Sequence, residues 1–206
     1  MYNVMPMFAV PIYHSTVDVI TPELVEFMKS ATYDDAPHPR GPRTTNNVNI
    51  LDDENCVNLR NAILQKIEEY ATECLGLGGV ELYITTSWGV KFSKGAYGHK
   101  HMHGNSILSG VVYLQTDEKS GTITFYKADG YSNLFTSTLI IPINNWNIYN
   151  SENWSVQPQT GSIFLFPSTL RHSVEENESS EDRLSLAFNC FVRGTFGSHG
   201  SALTLK

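Results

Sequence analysis

The stretch Leu82-Tyr-Ile-Thr-Thr-Ser-Trp-Gly-Val-Lys-Phe92 opens the part of the chain that decides the fold. Aromatic and β-branched residues dominate it, which is typical of a β-strand. Similar short runs follow it, separated by turns rich in Gly, Pro, Asn and Asp. The predicted strands are Leu82–Phe92, His99–His103, Ile107–Leu114, Thr122–Tyr126, Thr138–Ile141, Trp154–Gln157, Ser162–Phe166 and Leu184–Val192. Eight short strands in this arrangement predict a double-stranded β-helix, or jelly roll.

Two helices are expected before these strands. Thr21 as N-cap and Pro22 at the first helical position begin one, and apolar residues at helical spacing extend the other from about Asp53 to Cys74. The predicted fold is mainly β with two N-terminal helices packed on one sheet. We expect a single domain over residues 1–206, with a helical part at about 20–76 and a jelly-roll core at about 82–193. The proline-rich loop Asp34–Asn47 and the stretch Asp129–Phe135 are candidate substrate lids.

Composition narrows the classes of function. The net charge of −7 and the absence of a basic run make nucleic acid an unexpected partner. No apolar run reaches the roughly 20 residues of a membrane span. The three cysteines include no CxxC pair, and the N-terminus lacks the features of a secretory signal, so we expect a cytoplasmic protein with reduced thiols. An exposed edge strand could pair two copies into a homodimer.

The main candidate for chemistry is the run His99-Lys-His101-Met-His103. On a strand these three imidazoles would point to one side, because side chains alternate between faces. Neutral imidazole is a common ligand of iron, zinc, copper and nickel. The alternative is a polar surface strand whose histidines bind nothing.

A second group follows 69 residues after His103, with His172 and then Arg183-Leu-Ser185. His172 lies just past the predicted buried strand Ser162–Phe166, where it could complete a metal site; otherwise it is an exposed loop histidine. Arg183 and Ser185 would share one face of the last strand and could grip a carboxylate, with the arginine bonding both oxygens. The alternative for Arg183 is an ion pair with one of the acidic residues nearby in sequence.

Several neighbours could line the same pocket. Tyr113 closes a strand just after the histidines, where it is either a core aromatic or a hydroxyl aimed at a bound acid. Trp88 is expected in the core or in the pocket wall. Asn105 and Ser106 follow the histidines as pocket residues or as plain turn residues.

Taken together, these motifs resemble a known family. The resemblance lies in the order of three segments, which are His101-Met-His103-Gly-Asn-Ser106 to Tyr113-Leu, Gly161 to His172, and Arg183-Leu-Ser185-Leu-Ala-Phe-Asn189. This order is similar to that of the 2-oxoglutarate/Fe(II) oxygenases of marine phages and bacteria. That group is distantly similar to prolyl hydroxylases. The resemblance covers roughly Trp88 to Val192.

The resemblance implies an enzyme that uses Fe(II), O₂ and 2-oxoglutarate, and hydroxylates a primary substrate with release of succinate and CO₂. It implies that iron binds to His101, His103 and His172. Arg183 would take the far carboxylate of 2-oxoglutarate, assisted by Ser185 and Tyr113. Asn189 and His99 would lie near the pocket.

One departure concerns the charge of the site. The wider superfamily uses two histidines and one carboxylate, whereas His103 stands here at the carboxylate position. A metal site with three neutral imidazoles carries one more positive charge than a site with two imidazoles and one carboxylate. His99 and His101 form the same motif as His101 and His103, so the ligand pair could be either; the resemblance favours the second.

Two other functions fit part of the pattern. A three-histidine metal enzyme of cupin type shares the imidazoles and the strands, but leaves Arg183 and Ser185 without a role. A non-catalytic jelly-roll binding module would suit the aromatic content and would hold no stoichiometric metal.

Overall fold

Two antiparallel β-sheets face each other in this protein, for which a computed structural model describes residues 9–127 and 142–206. The strands are β1 (Tyr13–Thr16), β2 (Arg43–Thr44), β3 (Val80–Phe92), β4 (Gly98–His101), β5 (Leu108–Gln115), β6 (Ile123–Tyr126), β7 (Asn153–Val156), β8 (Ser162–Pro167), β9 (His172–Val174), β10 (Arg183–Phe196) and β11 (Leu203–Leu205). The larger sheet has the order β1-β8-β5-β10-β3-β2, with β11 also paired to β10. The smaller sheet has the order β4-β9-β6-β7.

The helices precede most of the sheet. They are α1 (Pro22–Ser30) and α2 (Val57–Glu69), with 3-10 turns at Ile50–Asp52, Glu54–Cys56 and His199–Ser201 and a π-helical turn at Tyr70–Cys74. The predicted cap is present, because the Thr21 hydroxyl accepts a hydrogen bond from the Leu24 N–H at 3.3 Å. In the described ranges no helix is long and apolar enough to cross a bilayer.

The helices cover the outer face of the larger sheet, as predicted. Leu24, Met28, Leu59, Ile63 and Ile67 of α1 and α2 belong to one buried apolar cluster. Alternate residues of β10 complete that cluster; they are Leu184, Leu186, Phe188, Cys190 and Val192. The remaining face of β10 therefore points between the sheets.

The space between the sheets is filled by two smaller apolar clusters. In one, Tyr113 and Phe164 of the larger sheet pack near Phe125 of the smaller sheet. In the other, Phe92 and Ala187 of the larger sheet pack near Val174 of the smaller sheet. Because both clusters draw residues from both sheets, the two sheets enclose one interior, which is the jelly-roll arrangement predicted from the sequence.

The observed elements differ from the predicted ones in a few places. Strand β9 was not predicted, because it has only three residues and follows a turn. The predicted strand Thr138–Ile141 and the candidate lid Asp129–Phe135 lie outside the described residues. The other candidate lid, Asp34–Asn47, is joined to the larger sheet by β2, and an antiparallel bridge between Tyr33 and Thr45 holds the two ends of the loop together.

Candidate active site

Three histidines from two distant parts of the chain meet at one end of the smaller sheet. His101 ends β4 and lies opposite His172, the first residue of β9. His103 follows two residues later, and its backbone N–H donates to the Ser168 carbonyl at 3.0 Å. The centroids of the three rings are 4.4 to 5.3 Å apart. One ligand atom from each ring lies within 4.8 Å of the other two.

In all three rings the hydrogen bond is made by Nδ1, so Nε2 is the nitrogen available to a metal. Nδ1 of His101 bonds to the His99 carbonyl at 2.7 Å, and Nδ1 of His172 bonds to the Leu170 carbonyl at 3.1 Å. Nδ1 of His103 bonds to Oδ1 of Asn189 at 2.7 Å. All three partners are acceptors, so each Nδ1 carries the proton and each Nε2 keeps its lone pair.

Burial holds two of these rings in the neutral form. The pKa of His172 is lowered to about 3, first by burial and then by the neighbouring His101. The pKa of His103 is also lowered, mainly by burial, which outweighs the opposing hydrogen bond to Asn189. Both imidazoles are therefore neutral at pH 7, and neutral imidazole is the form that binds metals.

His99 does not join this group of three. The pairing of β4 with β9 is irregular between Gly98 and His101, which breaks the simple alternation of side chains. The His99 ring instead lies 4.5 Å from the His38 ring and 4.9 Å from the Tyr97 ring, centroid to centroid. The expectation that His99, His101 and His103 share one strand face is therefore wrong.

Arg183 is buried in the interior, and the described residues provide no acidic partner for it. Its side chain is 1% exposed, and its guanidinium lies 4.4 Å from the Phe92 ring centroid and 5.4 Å from that of Tyr113. Nη1 donates to the Ser120 carbonyl at 3.0 Å and to the Gly121 carbonyl at 3.4 Å, while Nε is enclosed and has no hydrogen-bond partner among the described residues. Among the described residues no carboxylate pairs with it, so the alternative of an ion pair with a nearby acid is not what this structure shows. Burial lowers the pKa of Arg183, but a guanidinium keeps its charge in proteins.

Two hydroxyl groups lie next to this buried cation. Ser185 is two residues from Arg183 on β10, is buried, and stands opposite Tyr113 of β5 in the sheet register. Burial raises the pKa of Tyr113, although the charge of Arg183 acts against this, so the hydroxyl remains a proton donor at pH 7.

The other predicted pocket residues take different places. Trp88 is close to the histidines, with its ring stacked 5.9 Å from the His103 ring. Asn189 bonds to His103, and the Ser106 hydroxyl donates to the Ser168 hydroxyl at 2.8 Å. Asn105 is an exposed turn residue with φ of 54°, a conformation that asparagine tolerates well.

A continuous path of side chains joins the two ends of the interior. From Arg183 it passes over the Tyr113 ring to Phe164, and from there to Phe125 and His172, with successive ring centroids 6.0 to 6.3 Å apart. Packed aromatic rings thus connect the cation with the imidazoles.

Sequence reasoning overlooked three residues of the site. Phe92 covers the guanidinium, and the hydroxyls of Ser109 and Ser168 bond to each other at 2.8 Å near His103. A serine within the apolar run Ile107–Leu114 was the available signal, because a buried hydroxyl needs a partner.

Known proteins resemble this chain in both sequence and fold. Residues 86–189, just over half of the chain, match a sequence family described as "Putative 2OG-Fe(II) oxygenase". No curated protein sequence matches the chain. The structure of a Pseudomonas putida prolyl-4-hydroxylase is 18% identical and superposes over 90% of this chain and 94% of its own, with a TM-score of 0.58.

Two further solved structures share the fold. HygX from Streptomyces hygroscopicus, with nickel, 2-oxoglutarate and hygromycin B bound, is 14% identical over 88% of this chain and 83% of its own, with a TM-score of 0.60. A Trichoplax adhaerens prolyl hydroxylase, in complex with a peptide fragment of hypoxia inducible factor, is 12% identical over 87% and 83%, with a TM-score of 0.60.

At these identities the structural matches establish the fold, and the sequence match establishes the family. The chain belongs to the family of 2-oxoglutarate- and Fe(II)-dependent oxygenases.

Proposed function

We propose that His101, His103 and His172 hold Fe(II) in this enzyme, and that Arg183 binds the far carboxylate of 2-oxoglutarate. Ser185 and Tyr113 assist Arg183 through their hydroxyl groups. The proposal rests on two observations together: ligand atoms of three imidazoles lie within 4.8 Å of one another, and the buried guanidinium of Arg183 has no acidic partner among the described residues. Neither feature alone would call for 2-oxoglutarate.

The donor set fits a divalent first-row metal. Nitrogens bound to one such ion lie about 3–3.5 Å apart, so atoms already within 4.8 Å of one another need only small rotations to reach a common centre. Imidazole suits iron, nickel, copper and zinc. Among residues 9–127 and 142–206 no carboxylate joins the group, so the set differs from the two-histidine, one-carboxylate arrangement.

The interior residues bind and orient the co-substrate. The buried Arg183 lacks a counter-ion in the described structure. A carboxylate bound beside its Nε would supply a negative charge and would accept the hydrogen bond of the Nε–H group. Phe92 and Tyr113 cover the guanidinium and exclude water, which strengthens the pairing. The Tyr113 and Ser185 hydroxyls can donate to the same carboxylate.

Together, Fe(II) and 2-oxoglutarate supply the oxidative chemistry, in which O₂ converts 2-oxoglutarate to succinate and CO₂ while one oxygen atom enters a C–H bond of the primary substrate. His101 is the exposed member of the three histidines, whereas His172 is 5% exposed. We therefore place the approach of the primary substrate on the His101 side.

The experiment is to load the protein anaerobically with Fe(II) and 2-oxoglutarate, expose it to O₂, and measure succinate. Wild-type protein should form succinate slowly even without a primary substrate, and His172→Ala should form none. His99→Ala is the matched control, because that exposed histidine lies outside the group of three, and it should retain turnover. No succinate from iron-loaded wild-type protein would contradict the proposal, and loss of turnover in His99→Ala would contradict the ligand assignment.

A cupin-type enzyme that ignores 2-oxoglutarate makes a different prediction in one titration. Adding 2-oxoglutarate to Fe(II)-loaded protein without O₂ should produce a visible charge-transfer band if the co-substrate binds the metal. A spectrum that stays unchanged at saturating 2-oxoglutarate would favour the cupin-type alternative.

We also propose that the enzyme works in the cytoplasm. Its three cysteines are unpaired, with Cys56 and Cys190 buried and Cys74 exposed. Reduced thiols persist in the cytoplasm and are rare in secreted proteins. Fractionation of the source cells should find the protein with cytoplasmic markers; recovery with secreted proteins would contradict this placement.

A homodimer formed through an edge strand remains our proposal for the assembly. Among the described strands, β7 is an edge of the smaller sheet, and it carries Trp154, which is 51% exposed. An unpaired edge offers free backbone groups to a second copy. Light scattering should give the dimer mass, and Trp154→Lys should give the monomer; a monomeric wild-type protein would contradict the proposal.

A further inference from the structure

The third histidine of the site is oriented by an amide side chain rather than by the backbone. Nδ1 of His101 and of His172 bond to backbone carbonyls two residues away in sequence. Nδ1 of His103 instead bonds to Oδ1 of Asn189, which is 86 residues away on β10. Unlike a carbonyl, an amide can rotate and present either its oxygen or its NH₂ group.

Which group the amide presents decides whether His103 can bind a metal. If Oδ1 faces the ring, Nδ1 must carry the proton, and Nε2 has a free lone pair. If the NH₂ group faced the ring, Nδ1 would need the lone pair, and Nε2 of the neutral ring would carry the proton. A protonated Nε2 cannot coordinate a metal, so Asn189 controls this ligand.

A chain of serine hydroxyls can donate to the amide oxygen in this productive orientation. The Ser109 hydroxyl donates to Oδ1 of Asn189 at 2.8 Å, and Ser168 lies 2.8 Å from Ser109. Each hydroxyl has one proton, so Ser109 must accept from Ser168, and Ser168 must accept from Ser106 at 2.8 Å. All the donors therefore point toward Oδ1.

Two further features accompany this orientation. Nδ2 of Asn189 donates to the Thr86 hydroxyl at 3.3 Å on the neighbouring strand. The pairing of β10 with β3 shifts register between Asn189 and Cys190, a bulge of the kind that re-aims a side chain. Ser109 and Ser168 are fully enclosed, so water does not compete for their protons.

We propose that Asn189 is a positioning residue that holds His103 in the tautomer with Nδ1 protonated and Nε2 free. The hydroxyls of Ser109 and Ser168 lock the Asn189 amide with its oxygen toward the ring. The inference rests on the proposed function only in taking His103 as a metal ligand. The tautomer itself belongs to the metal-free protein.

The test is nitrogen NMR of metal-free protein labelled with ¹⁵N-histidine, recorded at pH 8. In the wild type, His101, His103 and His172 should all show a protonated Nδ1 and an unprotonated Nε2. Asn189→Ala should shift His103 alone toward the Nε2-protonated tautomer, because the other two rings keep their carbonyl acceptors. A wild-type His103 protonated at Nε2 would overturn the proposal, and so would an Asn189→Ala spectrum in which His103 is unchanged.

Metal affinity and a conservative variant give a second readout. Loss of a residue that orients a ligand typically weakens metal binding about 10–100-fold, so Asn189→Ala should do this in a Co(II) titration followed by absorption. Asn189→Asp keeps the acceptor and should restore both the tautomer and the affinity. Failure of Asn189→Asp to restore the tautomer would overturn the proposal. If Asn189→Ala does not fold, the wild-type and Asn189→Asp spectra still decide it.

These outcomes separate the inference from the proposed function. Normal tautomers and normal Co(II) affinity without succinate formation would contradict the oxygenase mechanism and leave the role of Asn189 intact. Normal succinate formation with an unchanged His103 tautomer in Asn189→Ala would contradict the role of Asn189 and leave the oxygenase mechanism intact.

Discussion

The two faces of strand β10 have different surroundings, and we propose that one serves stability and the other serves the chemistry. One face presents Leu184, Leu186 and Phe188, each fully buried against the helices. The other presents Arg183, Ser185 and Asn189 to the space between the sheets. Since side chains alternate along a strand, one segment can serve both purposes with little interference. Substitutions on the two faces should therefore have different consequences, and each prediction below tests that difference.

The largest effect is expected on the helix-facing side. Phe188→Ala should lower the free energy of unfolding by roughly 3–5 kcal/mol, because it removes a fully buried ring from a packed core. The ring also fills the space above Gly110, where an added Cβ would come within 2.3 Å of it. Urea denaturation measures the change, with Phe188→Leu as the milder control. A loss below about 1 kcal/mol would contradict the assignment of this face to stability.

Arg183→Met should weaken the binding of 2-oxoglutarate without lowering the stability of the fold. Loss of the guanidinium should weaken 2-oxoglutarate binding by roughly 2–4 kcal/mol, about 30-fold to 1,000-fold in Kd. The free energy of unfolding should stay the same or rise, because the replaced cation is buried without a counter-ion in the described structure.

Calorimetric titration of the metal-loaded protein and urea denaturation measure the two quantities. Arg193→Met is the matched control, since Arg193 lies on the same strand but is exposed and pairs with Glu81. A large loss of stability in Arg183→Met would show that the two faces are not separable.

Bound 2-oxoglutarate should stabilise the protein through the face of β10 that carries Arg183. At about 100 times its Kd, 2-oxoglutarate should stabilise the metal-loaded wild type by about 2.7 kcal/mol, which corresponds to a rise of roughly 5–10 °C in Tm. In Arg183→Met the same concentration should stabilise by less than about 1 kcal/mol, a rise in Tm of at most roughly 3 °C. Thermal denaturation with and without 2-oxoglutarate measures this; an equal rise in both proteins would remove Arg183 from the binding site.

The smallest effect is expected for Ser185→Ala. A single neutral hydrogen bond contributes about 1 kcal/mol, so the Kd for 2-oxoglutarate should rise roughly 3-fold to 10-fold. Stability should change little, because Ala187 on the same face shows that a methyl side chain is accommodated there. Calorimetric titration measures the Kd, and an unchanged Kd would mean that the Ser185 hydroxyl does not contact the co-substrate.

The sequence was informative wherever local periodicity sets the structure. Alternation along Leu184–Val192 predicted that Arg183 and Ser185 share one face, and helical spacing predicted the buried face of α2. The Thr21-Pro22 pair correctly predicted the start of α1. These features depend on residues close together in the chain.

Features that depend on pairing between distant segments were harder to predict. The irregularity between Gly98 and His101 takes His99 away from the other histidines, and strand periodicity carries no trace of it. Strand β9 exists because its three residues pair with β4 and β6, not because of strong local propensity. The hydroxyl chain near His103 joins Ser109 to Ser168 across 59 residues, so it becomes visible only in the folded protein.

One molecule of 2-oxoglutarate should reach from the three histidines to Arg183. A crystal structure of the protein with Fe(II) and 2-oxoglutarate, prepared without O₂ and phased at the iron edge, tests this directly. The account predicts an iron peak bonded to Nε2 of His101, His103 and His172, with the far carboxylate of 2-oxoglutarate on Arg183. An iron peak elsewhere, or 2-oxoglutarate bound away from Arg183, would contradict it.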